Sequence, residues 1–245
     1  MNYANEDIVE FSKLINQTFQ LSLASKASNT LPLDLGVTFI NKQQLKETKI
    51  NNLLIKSKGE SIQIPDLIDS SITLWINECL KVASRVCNDL EQRYAYLTID
   101  NKAVKKGRTQ RQGGWHIDGL QGDEVPKKLN NCFQFILVSN TPTEFCKQTF
   151  DVSEINISKD NVFKALSKQI HSENNIEINN MHTYLMHCFH VHRASKSKQN
   201  TERLFLRLYL SHCPVTNNQA TLNPKIKYPF VPHSTTGQIP SHLTP

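Results

Sequence analysis

The chain has 245 residues and a formal net charge of +6, with 38% hydrophobic and 20% charged residues. That composition is globular and excludes disorder or a coiled coil, and the length fits one domain whose core needs no disulfides. The longest apolar runs, such as 135–138, are too short to cross a membrane as a helix, and no glycine-rich dinucleotide or phosphate loop occurs.

The first residues, MNYANEDIVEF, are acidic and lack a basic segment followed by an apolar stretch, so no signal peptide is expected. Six cysteines occur without a Cys-x-x-Cys pair, and the chain is expected to be reduced and cytoplasmic. Residues 6–22 fit one amphipathic helix with Ile8, Phe11, Ile15 and Phe19 on a single face and Asn5 as N-cap. A second helix follows, with Ile72, Trp75, Ile76, Cys79, Leu80, Ala83, Val86, Cys87 and Leu90 as its stripe and Asp69, Ser70 or Ser71 as its cap. Cys79 and Cys87 read as packed thiols on that stripe.

After residue 93 the periodicity changes to two. Residues 94–99, 132–139, 183–192 and 203–211 read as strands, with a short helix within 161–172. The segment 140–150 reads as a lid or a strand connection. Six prolines in the last 32 residues predict an extended tail. The expected organisation is a helical buttress over 1–92, a mostly antiparallel β core over 93–213 and a Pro-rich tail over 214–245, all in one integrated domain.

Charge is concentrated in two places. Residues 101–115 carry +5 and residues 193–207 carry +4, so the remainder is −3. This predicts an anionic ligand near whatever the two segments frame.

Five of the eight glycines lie between 107 and 122, around RQGGWHIDGLQG. Within that stretch His116 and Asp118 are two apart, so an extended backbone points both to one face. An imidazole and a carboxylate side by side can take adjacent positions on a divalent metal, although the pair alone is weak evidence. Further on, four histidines (182, 187, 190 and 192) precede a basic loop. In the strand TERLFLRLYLSH that follows, Leu204, Leu206, Leu208 and Leu210 share the core face. The other face carries Arg203, Phe205, Arg207, Tyr209 and Ser211, and arginine is seldom placed indoors without an anion.

The order His-x-Asp, a gap, His, then Arg eleven and fifteen residues later resembles the Fe(II)/2-oxoglutarate-dependent oxygenase superfamily. The matching residues are His116, Asp118, His192, Arg203 and Arg207, and the resemblance covers roughly 94–212. It implies a mainly β (α+β) fold whose core is a distorted double-stranded β-helix, a cupin-like jelly roll. It also implies His116, Asp118 and His192 as ligands of Fe(II), with dioxygen and 2-oxoglutarate as co-substrates. His192 closes the triad because it keeps the family's spacing to arginine, and His190 is read as a pocket residue. Two imidazoles and one carboxylate leave three positions open on an octahedral iron. The distal carboxylate of 2-oxoglutarate needs a forked cation, which makes Arg203 the first choice and Arg207 the second. Arg207 can instead meet a substrate anion, and Tyr209 or Ser211 can add a hydroxyl.

The activity implied is hydroxylation, or demethylation through hydroxylation, of a small or anionic substrate. Nucleic acid or a nucleotide stays open as a substrate class because of the basic stretch 102–111. The alternatives are a cupin-like metalloenzyme that uses no 2-oxoglutarate and a basic nucleic-acid-binding module. No membrane partner is expected.

Overall fold

The computed structural model describes residues 4–17, 22–45, 48–111, 113–118, 132–156, 159–215 and 220–228. Helix α1 spans Asn5–Ile15 and buries Ile8, Phe11, Leu14 and Ile15. It is shorter than the expected 6–22. The Asn16 side chain turns back onto the Ser12 carbonyl at 2.8 Å, beside the backbone amide of the same residue, and closes the helix there. A separate helix, α2, runs over Ser22–Asn29, and Phe19 lies outside the described residues. Asn5 is not the cap: Ala4 holds that position, and the Asn5 side chain accepts from Arg85 instead.

Helix α3 spans Ser70–Val86, and the Asp69 carboxylate accepts from the Ser71 amide at 2.8 Å as its N-cap. Ile72, Trp75, Ile76, Cys79, Val82, Ala83 and Val86 are buried. A large apolar side chain contributes about 2 kcal/mol when buried, and a cap about 1 kcal/mol. The packed stripe therefore holds this helix in place and the cap only trims its start. Cys87 and Leu90 lie beyond the helix end but pack against the same core.

The expected helical buttress is only partly helical. Residues 1–92 also contribute β1 (Leu33–Val37) and β2 (Lys49–Lys56), the two outermost strands of the main sheet. The remaining strands are β3 (Tyr94–Val104), β4 (Cys132–Val138), β5 (Thr143–Cys146), β6 (Asn175–Glu177), β7 (His182–His187), β8 (His192–Ala194) and β9 (Thr201–Ser211). A six-stranded sheet has the order β1-β7-β4-β9-β3-β2, and a three-stranded sheet the order β6-β5-β8. Every pairing is antiparallel. The segment 140–150 holds β5, the middle strand of the small sheet. A short helix, α4 (Val162–Ser167), is capped by Asn161.

The expected single strand over 183–192 is two strands in different sheets. Residues 188–191 form a tight turn, closed by the His190 amide on the His187 carbonyl at 3.1 Å, and the chain crosses from β7 to β8 through it. Side-chain parity counted along one continuous strand therefore does not carry from His187 to His192.

The large sheet has two different faces. Leu204, Leu206, Leu208 and Leu210 of β9 join Phe133, Phe135 and Leu137 of β4 in a core shared with α1 and α3. On the reverse face Ile136, Val138, Tyr184, Met186 and Phe205 pack with Phe145 of the small sheet. The sequence is helices, large sheet, small sheet. Of the tail, the Thr221 amide donates to the Asn51 carbonyl at 2.7 Å, and buried Asn223 donates to the Leu54 and Gln63 carbonyls. This segment lies along β2; residues 229–245 are outside the described residues. No disulfide joins any of the six cysteines. Among the described residues no helix is long and apolar enough to cross a membrane.

One ionic cluster ties the end of α3 to the sheet. Arg93, 1% exposed, donates from Nε to Asp89 at 2.9 Å and lies over the Phe133 ring at 5.2 Å. Burial alone would raise the Asp89 carboxyl. Hydrogen bonds from Cys87, Arg93 and His212 outweigh it and hold the group well below the usual carboxylate range. A depressed folded-state pKa stabilises the fold above the unfolded value of about 3.9 and loses that contribution as pH falls through the folded value. Asp89→Asn is expected to lower stability at neutral pH. It is also expected to flatten the fall in stability below about pH 4, as read by urea unfolding across a pH series.

Candidate metal centre

The site forms where residues 116–118 of the glycine-rich stretch meet β8 and the turn before it. His116 and His192 make an isolated antiparallel bridge: each donates its amide to the other's carbonyl at 3.0 Å. Residues directly opposite in such a pair send their side chains to the same side. The imidazole centroids are 4.4 Å apart. Ile117 is fully buried, so the backbone alternates and Asp118 returns to the histidine face. The Asp118 amide donates to the Cys188 carbonyl at 2.8 Å, which fixes the far end of the motif.

His116, Asp118 and His192 each bring one donor atom into a group whose members all lie within 4.8 Å of one another. His116 Nε2 is 4.0 Å from Asp118 Oδ1, and His192 Nε2 is 3.6 Å from Asp118 Oδ2. Both rings are oriented from behind. His116 Nδ1 lies 2.7 Å from the Gly114 carbonyl, and His192 Nδ1 lies 2.8 Å from the His190 carbonyl. A carbonyl can only accept, so each Nδ1 carries the proton and each Nε2 presents a lone pair toward Asp118. Gln134, on β4, donates from Nε2 to Asp118 Oδ2. The His192 ring is stacked on Phe145 at 5.5 Å, and Phe163 stands edge-on to His116 at 5.9 Å.

Burial alone would raise the Asp118 carboxyl. The His192 and His116 rings, the Arg207 charge and the Gln134 hydrogen bond outweigh it and hold it at about 2. Burial pushes His192 down to about 4 against the pull of Asp118. At neutral pH the carboxylate is ionised and the His192 ring neutral, the states in which both donate to a cation. Two nitrogens and an oxygen of this kind fit a borderline divalent transition metal.

The two arginines of β9 have different surroundings. Arg203 is 1% exposed; its Nε donates to the Thr141 carbonyl at 2.5 Å, Nη1 to Gln110 and Nη2 to Thr143 Oγ1 at 3.4 Å. Burial lowers it to about 10, so it stays cationic at neutral pH, with a fork already occupied by the surrounding loops. Arg207 lies close enough to the triad for its charge to act on both Asp118 and His192. Its Nη2 donates to Asn52 at 3.0 Å, and its Nε is buried without a hydrogen-bond partner among the described residues.

The other expected residues are placed as follows. Tyr209 lies under the Arg207 guanidinium at 5.7 Å, and the Ser211 hydroxyl donates to the Cys213 carbonyl at 2.9 Å. His190 is buried outside the triad; its Nδ1 faces the His187 amide and its backbone carbonyl orients His192. His182 pairs with Asp34, and His212 with Asp89. His233 and His242 lie outside the described residues.

Four site residues escaped the sequence reading. Gln134 had a signal, being the one polar side chain in the run CFQFILV. Asn52 sits at a bulge in β2 with φ of 46°, a left-handed conformation that asparagine tolerates, and this turns its amide toward Arg207. Arg111, hidden among lysines, lies over Phe205 at 4.7 Å and within electrostatic reach of Arg207 and Asp118. Arg193 donates to Glu144 Oε2 through both Nε and Nη2, at 2.9 and 2.6 Å, and covers Trp115 at 4.5 Å. It locks the outside of the bridge whose inside holds the histidines.

No protein-family model and no curated protein matches the chain. Among solved structures, similarity is found to AviO1 from Streptomyces viridochromogenes Tue57 (9% identity, 80% of this chain and 96% of that one, TM-score 0.44). It is also found to a 2OG-Fe(II) oxygenase family oxidoreductase from Burkholderia pseudomallei (11%, 80% and 92%, 0.40). A third is IDO from Bacillus thuringiensis (12%, 86% and 96%, 0.38).

Removing a residue that orients a ligand carboxylate costs about 10–100-fold in metal affinity. Gln134→Leu is therefore expected to weaken binding of a divalent transition metal by that factor in an anaerobic titration, with the chain still folded. His116→Ala is expected to remove binding outright.

Proposed function

We propose that the chain is a non-haem Fe(II)- and 2-oxoglutarate-dependent dioxygenase that hydroxylates a small or anionic substrate, or demethylates it through hydroxylation. The observation that carries this reading is the triad itself: two imidazoles with protonated Nδ1 atoms held by carbonyls, and one ionised carboxylate. His116, Asp118 and His192 would hold the metal. We read the two sheets, joined through the His116–His192 bridge, as the two halves of a distorted jelly roll.

Fe(II) held there would supply the redox chemistry by which dioxygen is split between 2-oxoglutarate, giving succinate and carbon dioxide, and a substrate C–H bond, giving an alcohol. The chain's own groups bind and orient. Gln134 holds one oxygen of Asp118 and so sets the rotation of that carboxylate. Phe145 and Phe163 flank the imidazoles and keep water from their faces. Arg207 is assigned to the distal carboxylate of 2-oxoglutarate in place of Arg203. Its Nε is a buried donor with no acceptor among the described residues, whereas Arg203 already meets Thr141, Gln110 and Thr143. A buried donor left unmatched costs about 1–3 kcal/mol, and a carboxylate arriving at Arg207 removes that cost.

The test is an anaerobic titration of 2-oxoglutarate into Fe(II)-loaded protein, followed by the visible charge-transfer band of the chelated 2-oxo acid. Wild type is expected to show the band and His192→Ala to lose it. Losing one partner of a buried charge pair costs about 2 kcal/mol or more, so Arg207→Ala is expected to weaken 2-oxoglutarate by about 30-fold or more. Arg203→Ala is expected to lower thermal stability instead. No band in metal-loaded wild type would overturn the reading.

A further inference from the structure

The two basic segments are far apart in sequence but meet in space. Residues 105–108 form a tight turn, closed by the Arg108 amide on the Lys105 carbonyl at 3.0 Å, with Gly107 at φ of 76°. That conformation suits glycine and leaves Lys105, Lys106 and Arg108 exposed at the tip. The turn is pinned to the loop that follows β8. The Gly107 amide donates to the Ser197 carbonyl at 2.7 Å, and the Ser197 amide to the Arg108 carbonyl at 2.9 Å. The Lys106 amide donates to the Asn200 side chain at 2.9 Å. Lys196, also exposed, therefore stands beside the turn.

Acids neutralise the neighbouring cations but not these. Arg193 is paired with Glu144, Lys198 with Glu177 and Lys102 with Asp100. Among the described residues no carboxylate lies in ion-pair range of Lys105, Lys106, Arg108 or Lys196. Glu202 is near in sequence but shares the face of β9 that Leu204 turns to the helices, opposite Arg203.

The chain links this rim to the triad on both sides: Lys196 comes four residues after His192, and Arg111 comes five residues before His116. Arg111 stands 3.9 Å from Asp100 and lies within electrostatic reach of Asp118. Arg207 is assigned to 2-oxoglutarate, which leaves Arg111 for the charge of a small substrate. Four further exposed cations exceed what such a molecule needs and fit a ligand with repeated phosphates. His192 is only 8% exposed, so the reacting group must leave any stack to reach the metal, which a single strand allows at lowest cost. Phe163, partly exposed beside His116, offers a ring face for a base.

We propose that the substrate of this site is single-stranded nucleic acid, whose phosphates run over Lys105, Lys106, Arg108 and Lys196 while one base enters toward His116, Asp118 and His192. The inference rests on the oxygenase reading above and adds its substrate class.

The experiment measures binding of a short fluorescein-labelled single-stranded DNA of mixed sequence to the full chain by anisotropy, across a salt series. Contact with about four phosphates predicts a slope of about −3 in log affinity against log salt, a loss of about 50-fold between about 50 and 200 mM. The triple variant Lys105→Gln/Lys106→Gln/Lys196→Gln is expected to lower the slope by about 2 and to keep the 2-oxoglutarate charge-transfer band. In wild type the DNA is expected to stimulate 2-oxoglutarate turnover. In the variant that stimulation is lost and DNA-free turnover is unchanged. Absent binding at low salt, a slope unaltered by the variant, or equally tight binding of polyglutamate would overturn the substrate assignment. Each of those outcomes leaves the oxygenase reading standing, since that reading fails only if the band is missing.

Discussion

Two backbone hydrogen bonds, the reciprocal pair between His116 and His192 at 3.0 Å, are the constraint on which the site depends. They join a glycine-rich loop, which belongs to no sheet, to the edge of the small sheet. Antiparallel pairing then leaves the two imidazoles no choice but the same side. What surrounds the bridge serves to keep it closed. Arg193 clamps its outer side through Glu144 and Trp115, while the Gly114 and His190 carbonyls aim the rings on its inner side. A triad assembled from one loop and one three-residue strand has little intrinsic rigidity, so these partners supply it.

The large sheet solves a harder problem. Its inner face must hold cations close to the triad without the free solvation of water. Register does this. Arg207 of β9 is opposite Thr98 of β3 and Ile136 of β4, and Arg203 is opposite Lys102. Arg203 is solvated by uncharged acceptors from the loops around it, and it ties 110 and 141–143 to the sheet. Among the described residues Arg207 Nε has no hydrogen-bond partner, and its charge acts on Asp118 and His192. One strand face thus carries a guanidinium held by loop acceptors and one with a free donor, four residues apart. The difference between them comes from the loops and not from the strand.

Several features were readable from local pattern. The α3 stripe, the β9 alternation and the shared side of His116 and Asp118 are consequences of periods of 3.6 and 2, which any window of the chain displays. The failures have equally physical causes. Strands β1 and β2 lie at the sheet's margins, and β2 is buried along nearly its whole length, so it shows no alternation to read. The run 183–192 looked continuous because a tight turn of Cys188, Phe189, His190 and Val191 is as apolar as the strands it links.

From the sequence alone came the residue types of the candidate metal triad, their order along the chain and the inward placement of two arginines, because each is a matter of residue identity and short-range periodicity. Tertiary structure alone decided the rest. It selected Nε2 over Nδ1 by setting carbonyls behind each ring, and recruited Gln134 and Asn52 from strands distant in sequence. It also separated Arg207 from Arg203 and brought the 105–108 turn against Ser197. Hydrogen-bond partners are chosen by cross-strand register and loop closure, which depend on how distant segments meet and leave no trace in any local window of residues.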